Sequence, residues 1–175
     1  MTGSRLKTRA GHSDSKWRGV VVPKFLFALL LLAFSPALAL ADMGLPFDTS
    51  ETIRLGYTAC ATSPLSGGLT AYKMTRTVKS PVTGQNVTET LTQVAGPDGR
   101  IFALSWSGIH HPDLSRLLPG RLPRVRIFRR GPSTLATPAL VLHMSGTVLH
   151  SEGEAWDPSL VPPGVSPATL LPSLP

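Results

Sequence analysis

The chain has 175 residues, 42% of them hydrophobic, and carries 17 basic against 10 acidic side chains, a net charge of +7. Its single cysteine, Cys60, excludes an intramolecular disulfide. The length suffices for one modest domain with a single core and leaves no room for a second independent one.

Residues 1–41 have the three parts of a secretory signal peptide. Six basic residues precede an uncharged apolar run from Phe25 to Ala41 that ends in small side chains. Ala39 and Ala41 supply the small residues of the preferred cleavage site, and cleavage after Ala39 is the alternative. An uncleaved membrane anchor is the other interpretation, although the run is slightly shorter than the about 20 apolar residues of a spanning helix. The sequence therefore predicts export to the periplasm or the extracellular medium.

Removal of this segment changes the argument from charge. The remainder, from Asp42 onward, has eleven basic and nine acidic residues, a net charge of +2. The basicity of the whole chain would favour nucleic acid or a membrane surface as partner, but most of the excess belongs to the signal segment. We therefore expect no nucleic-acid partner, and contact with a membrane only through that segment.

The rest of the chain predicts a flexible lead-in at 42–68, one compact β-rich domain at 69–157 and a proline-rich tail at 158–175. The lead-in is rich in serine and glycine, and the tail holds closely spaced prolines. Composition and alternation indicate five strands within the domain, at residues 69–79, 87–95, 100–107, 139–144 and 147–152.

Two local signals shape this β-rich domain. The sequence from Gly96 to Gly99, Gly-Pro-Asp-Gly, predicts a hairpin turn, because proline presets φ and Asp-Gly accommodates a positive φ. Pro112 and Asp113 open a short helix over 112–118 with leucines on one face. The expected fold class is α+β, mainly β: an antiparallel meander of about five strands with one short covering helix.

Alternation within the third predicted strand separates two kinds of side chain. Large apolar side chains point to one face: Phe102, Leu104 and Trp106. Small side chains point to the other face: Ala103, Ser105 and Ser107. This pattern indicates a half-buried strand with a large aromatic contribution to the core.

Two blocks of sequence carry a family resemblance. The first is GPDGRIFALSWSG at 96–108, which runs on to PDLSRLL at 112–118, and the second is GEAWDPSLVPPGV at 153–165. In order and spacing they resemble the bacterial domain of unknown function 2844 family, a set of small exported proteins. The resemblance implies export and a single compact domain, and it implies no activity because none is assigned to the family. The chain departs from the family pattern after Leu118, which leaves the structure of residues 119–137 open.

His110, His111 and Asp113 are the best candidates for chemistry. Imidazoles and carboxylates bind metal ions and transfer protons. Adjacent side chains in an extended segment point apart, however, and Asp113 is suited to the first turn of a helix. A loop followed by a helix cap is the favoured interpretation, so no catalytic, cofactor-binding or metal-binding residue is assigned.

Three further residues have less specific interpretations. His143 and His150 flank a predicted turn at Ser145-Gly146; a two-residue loop would set them on one face and a three-residue loop on opposite faces. Without a third ligand, surface positions are favoured for both. Cys60 lies between two alanines, which favours a small buried side chain over a reactive thiol.

Five arginines form the candidate interaction surface. Such a cluster binds phosphates, anionic lipid head groups or an acidic partner. The alternative is a solvated loop or edge strand whose charges discourage edge-to-edge pairing. The cluster consists of Arg121, Arg124, Arg126, Arg129 and Arg130.

Several catalytic signatures are missing from the sequence, among them the Gly-x-Ser-x-Gly elbow, the glycine-rich nucleotide loops and His-Glu-x-x-His. The favoured function is therefore a non-enzymatic binding or envelope accessory module with an envelope or secreted partner and no cofactor. Two alternatives stay open: a small metal-dependent or His/Asp hydrolase that uses His110, His111 and Asp113, and a membrane-anchored structural protein.

Overall fold

A computed structural model describes residues 43–122, 132–147 and 149–174. The predicted signal peptide with Ala39 and Ala41 lies outside the described residues, and so do four of the five clustered arginines, which are Arg124, Arg126, Arg129 and Arg130. Among the described residues, none of the helices has the length and apolar character needed to span a bilayer.

The described part of the chain forms one open sheet of seven antiparallel strands in the order β1-β2-β3-β4-β7-β6-β5. The strands are β1 (Ala59–Pro64), β2 (Thr70–Lys79), β3 (Asn86–Ala95), β4 (Ile101–Gly108), β5 (Ser133–Thr137), β6 (Leu140–Gly146) and β7 (Ser151–Trp156). The first four run as a meander, and the last three form a second meander that joins the first through β7 and β4. The mainly β, antiparallel expectation is confirmed, and the expected count of five strands is too low.

In the part of the chain that the structure describes, three short α-helices flank the sheet, α1 (Thr49–Arg54), α2 (Leu114–Leu117) and α3 (Pro167–Leu170), together with single 3-10 turns at Ser66–Gly68 and Leu171–Ser173. Helix α2 is the predicted one, and Asp113 caps it by accepting the backbone N–H of Arg116. The expectation of a single helix therefore understates the count, because α1 and α3 lie in segments whose composition resembles a loop.

Helix α1 and strand β1 both lie within the segment 42–68, where a flexible lead-in is predicted. The composition of β1, Ala-Cys-Ala-Thr-Ser-Pro, carries no strand signal, and its pairing with β2 makes it a strand. It is an edge strand, so its side chains stay largely uncovered. Cys60 is consequently exposed, and the expectation of a buried thiol is wrong.

The hairpins fix the register of the sheet. The predicted turn between β3 and β4 is present: the N–H of Gly99 donates to the carbonyl of Gly96 at 2.9 Å, and Gly99 has a φ of 78°. Between β6 and β7, the last pair of the ladder is Gly146 with Ser151, so four residues separate the two strands instead of the two or three considered from the sequence. His143 therefore lies opposite Glu154, and His150 lies in the loop.

The two faces of the sheet are covered differently. One face carries the main core, in which Leu104 and Trp106 pack with the buried leucines of α2. On the opposite face, the tail covers one end of the sheet, and its Leu171 packs on Val94 and Ala103. The strands that cross this second face continue beyond the tail, where the side chains are polar.

Candidate functional site

Two rows of polar side chains cross the part of the second face that the tail leaves open. Pairing across the strands sets Thr92 opposite Ser105, and Ser105 opposite Glu154. A second row, two residues along each strand, pairs Thr90 with Ser107. We call the two rows the polar face; they consist of Lys73, Thr92, Ser105, Glu154, His143 and Thr134 in the first row and Thr90, Ser107, Glu152 and Ser145 in the second.

Strand alternation explains why these side chains share a face. Successive residues of a strand point to opposite sides of the sheet, so Thr90 and Thr92 point away from the buried Leu91 between them. In the same way Ser105 and Ser107 flank the buried Trp106. The hairpin at Gly96–Gly99 then aligns β3 and β4 so that the hydroxyls of both strands come together.

The polar face forms the floor of a groove of about 660 Å³. Pro172 and Leu174 of the tail line one side of the groove, and Pro132 lies at its β5 end. Pockets that hold small molecules usually enclose about 300–1,000 Å³ and combine an apolar wall with a few oriented polar groups. The size and lining of this groove fit that description.

Both carboxylates of the polar face are oriented by neighbours. The imidazole of His143 lies 3.0 Å from the carboxylate of Glu154. Glu152 accepts the hydroxyl of Ser145 at 2.8 Å and meets the imidazole of His150 at 3.2 Å. These two hydrogen bonds lower the pKa of Glu152. Both carboxylates of the polar face therefore have hydrogen-bond partners on neighbouring side chains.

A second polar cluster lies on the core face, around Glu89, whose side chain is only 3% exposed. Its carboxylate accepts Nε of Arg76 at 2.7 Å and the backbone N–H of His110 at 2.8 Å, and it also meets the His110 ring at 2.8 Å. Burial alone would raise the pKa of Glu89, but these hydrogen bonds outweigh it and lower the pKa. A Cβ on Gly108 would approach this side chain to 2.5 Å, so glycine is needed for the fit.

His111 belongs to a different set of contacts. Its Nδ1 lies 2.7 Å from the hydroxyl of Ser151, which accepts the indole N–H of Trp106 at 3.2 Å. Burial lowers the pKa of His111, which favours the neutral ring. Ser151 itself is 3% exposed, so a substrate has little access to its hydroxyl.

The predicted trio of His110, His111 and Asp113 is thus divided among three tasks. His110 binds Glu89, His111 binds Ser151, and Asp113 caps α2. In the ranges 43–122, 132–147 and 149–174, no three His, Cys, Asp or Glu side chains are grouped so that they could hold a metal ion.

Arg121 is the one member of the arginine cluster that the structure describes. Its guanidinium donates from Nε and Nη2 to the carboxylate of Asp157 at 3.0 and 2.8 Å, and it also contacts the carbonyl of Met43. Asp157 is 3% exposed. Arg121 therefore joins the start of the described chain to the start of the tail. The predicted anionic-partner surface then depends on the other four arginines of the cluster, which lie outside the described residues.

Comparison with known proteins gives one match. A family model described as "Protein of unknown function (DUF2844)" matches residues 52–170. This range covers all seven strands and the whole polar face. No curated protein and no solved structure matches the chain.

Proposed function

Since the chain belongs to the DUF2844 family, whose function is unknown, we propose from its geometry that it is an exported, non-enzymatic binding module that contacts its ligand through the polar face. The observation that carries the proposal is the groove above that face. Its floor is built from side chains of six strands, so the ligand contacts are set by the most regular part of the fold rather than by loops.

The chemistry of the polar face supports binding rather than stability. Seven strands suffice to bury the apolar side chains, and hydroxyls on an open strand surface add little to folding. Ser107, Thr134 and Glu152 are exposed, so they are accessible to a ligand. Exposed and oriented polar groups in a groove are the usual recognition elements of a binding site.

The arrangement of Ser151 and the two histidines supports a non-enzymatic role. Nucleophilic catalysis needs an accessible hydroxyl, a base beside it and a third group that orients the base. Here the carboxylate of Glu89 orients His110, whereas the hydroxyl of Ser151 meets His111. The parts of a triad are split between two imidazoles, and the hydroxyl is buried. Among the described residues, His110, His111 and Asp113 are not brought together as the hydrolase alternative requires.

Export rests on the sequence of residues 1–41, and N-terminal sequencing tests it. The protein recovered from the periplasm or the medium should begin at Asp42, or at Leu40 if the alternative site is used. Recovery of the uncut chain in the membrane fraction would support the membrane-anchored structural protein instead. Recovery of the uncut chain in the cytoplasm would contradict export.

A bulky residue in the groove tests the contact surface. We expect Ser107→Trp to abolish co-sedimentation of the purified domain with isolated cell-envelope material, because the indole would fill the space above β4. Ser63→Trp is the matched control, since Ser63 is also an exposed strand serine but lies on β1, outside the groove. Equal co-sedimentation of the two variants would contradict the proposed surface.

A further inference from the structure

We propose that the groove binds a neutral, extended oligosaccharide, an inference that rests on the proposed function of the polar face. Hydroxyl groups dominate the floor. Each serine or threonine hydroxyl both donates and accepts a hydrogen bond, so it matches the hydroxyls of a sugar in either direction. They belong to Thr90, Ser105, Ser107 and Thr134; of the other two hydroxyl side chains of the floor, Thr92 is 4% exposed and Ser145 already donates to Glu152.

The charges of the groove argue against a charged ligand. An anion is usually held by arginines, and none is found among the described residues that line the groove; Lys73, at the β2 end, is the basic side chain of that lining. A cationic ligand would be repelled by Lys73. Glu154 and Glu152 also have only part of their hydrogen-bonding capacity free, because His143, Ser145 and His150 use the rest. A neutral polyhydroxylated ligand meets neither obstacle.

The apolar walls of the groove suit the C–H faces of a sugar ring. A pyranose ring carries C–H groups on its faces and hydroxyls around its rim. Pro172 and Leu174 give the C–H faces an apolar contact, while the floor receives the hydroxyls. The carboxylates of Glu152 and Glu154 accept hydrogen bonds in fixed directions, which favours one arrangement of sugar hydroxyls over its epimers.

The length of the polar face indicates a chain of sugars rather than a single one. Its first row crosses six strands, from Lys73 on β2 to Thr134 on β5. Neighbouring strands lie about 4.8 Å apart, so the row is about 24 Å long. Thr134, at one end of the row, is exposed among the described residues.

An extended peptide fits this floor less well. Peptides added to a sheet bind through unpaired backbone groups at an edge strand. Of the six strands beneath the groove, five are paired on both sides, namely β2, β3, β4, β7 and β6, and β5 alone is an edge of the described sheet. The backbone groups of those five strands are used in the ladder, so a ligand above them must be recognised by side-chain hydroxyls and carboxylates.

Titration of the purified domain, from Asp42 to Pro175, with chitotetraose, cellotetraose and maltotetraose tests the inference by calorimetry. We expect saturable binding of at least one of the three. Ser107→Ala and Thr134→Ala should each weaken that binding about tenfold, because a sugar hydroxyl loses its partner. Ser63→Ala on β1 is the control and should leave it unchanged.

The outcomes separate this inference from the proposed function. Binding of none of the three sugars up to millimolar concentration would overturn the oligosaccharide assignment, and the proposed surface would still stand if Ser107→Trp abolished co-sedimentation with the envelope. Saturable binding of a mixture of tetrapeptides, weakened by the same alanine variants, would overturn it in favour of a peptide. Sugar binding that both alanine variants leave unchanged would also overturn the assignment to this groove.

Discussion

The two faces of the sheet each carry a glutamate–histidine pair, and the surroundings of the pairs differ. On the core face, the Glu89 side chain is 3% exposed and accepts Arg76 as well as His110. On the polar face, the Glu154 side chain is 19% exposed and meets His143, whose charge depends on protonation. The same two residue types thus occur once in a buried, permanently compensated network and once at an accessible surface.

This difference separates stability from recognition. A buried carboxylate needs its partners, because an uncompensated buried charge is costly. A partly exposed carboxylate such as that of Glu154 keeps part of its hydration, so its loss costs the fold less and the group stays available to a ligand. We therefore expect substitutions on the core face to change the free energy of unfolding, and substitutions on the polar face to change binding.

The largest loss of stability is expected for Trp106→Ala. Trp106 is 4% exposed in the main core, and its indole lies against Gly153, where an added Cβ would approach the ring to 2.3 Å. Removing the ring should lower the free energy of unfolding by about 3–5 kcal/mol. Urea denaturation followed by circular dichroism measures this. A loss below about 1 kcal/mol, the size typical of an average point mutation, would show that the core face does not carry the fold.

Glu89→Gln should cause the second largest loss of stability. The free energy of unfolding should fall by roughly 3 kcal/mol, because the substitution leaves Arg76 without its charge partner in a largely buried position. Glu152→Gln is the matched control: the Glu152 side chain is 57% exposed, and its loss should change stability by less than about 1 kcal/mol. The same denaturation experiment compares the two. Equal losses would remove the distinction between the two faces.

Leu171→Ala tests the attachment of the tail to the second face. Leu171 is 3% exposed and packs with Val94 and Ala103, so its truncation should cost roughly 2–3 kcal/mol. Leu149→Ala, at a side chain that is 46% exposed in the β6–β7 loop, should cost less than about 0.5 kcal/mol. Limited proteolysis gives a second measurement, since the tail should be cleaved faster in Leu171→Ala alone. An unchanged cleavage rate would mean that Leu171 does not hold the tail.

The smallest expected effect is the change in the free energy of unfolding of the wild-type protein as the pH is lowered. The pKa of Glu89 lies below its ordinary value of 4.5 in the folded chain, so its stabilising contribution is complete above pH 4.5 and is lost as the pH falls through the lowered value. The free energy of unfolding should therefore decline with acidification in that window. Glu89→Gln should show a shallower decline over the same pH range. Parallel curves for the two proteins would assign the acid sensitivity to other groups.

Much of the fold was predictable from the sequence because its signals are local. The turn at Gly96–Gly99, the alternation in β4 from Ala103 to Ser107 and the cap at Asp113 all depend on residues within a few positions of each other. Phe102 is the exception in β4, because it packs in the cluster of Val94 and Ala103 and not in that of Leu104 and Trp106. Strands β1 and β5 were missed because their own residues carry weak preferences, and pairing with β2 and β6 makes them strands. Tertiary pairing overrides propensity in such segments.

Only part of the polar face could be predicted from the sequence. Alternation already separated Ser105 and Ser107 from the core residues of β4, and Thr90 and Thr92 alternate in the same way in β3. The sequence did not predict the register of the strands, which determines which hydroxyls lie opposite each other. It also did not predict that β7 pairs with β4, which places Glu154 opposite Ser105. Likewise Glu89 was not found as the partner of His110, because 21 residues separate the two.

We propose that the core face stabilises the fold and that the polar face recognises the ligand, and a matched pair of variants tests this proposal most directly. Glu154→Gln and Glu89→Gln are to be compared for co-sedimentation with isolated cell-envelope material, at equal concentrations of folded protein. We predict that Glu154→Gln loses most of its association with the envelope material, while its free energy of unfolding stays within about 1 kcal/mol of the wild type. Folded Glu89→Gln should associate with the envelope material as the wild type does. Normal association of Glu154→Gln, or loss of association confined to Glu89→Gln, would contradict the account.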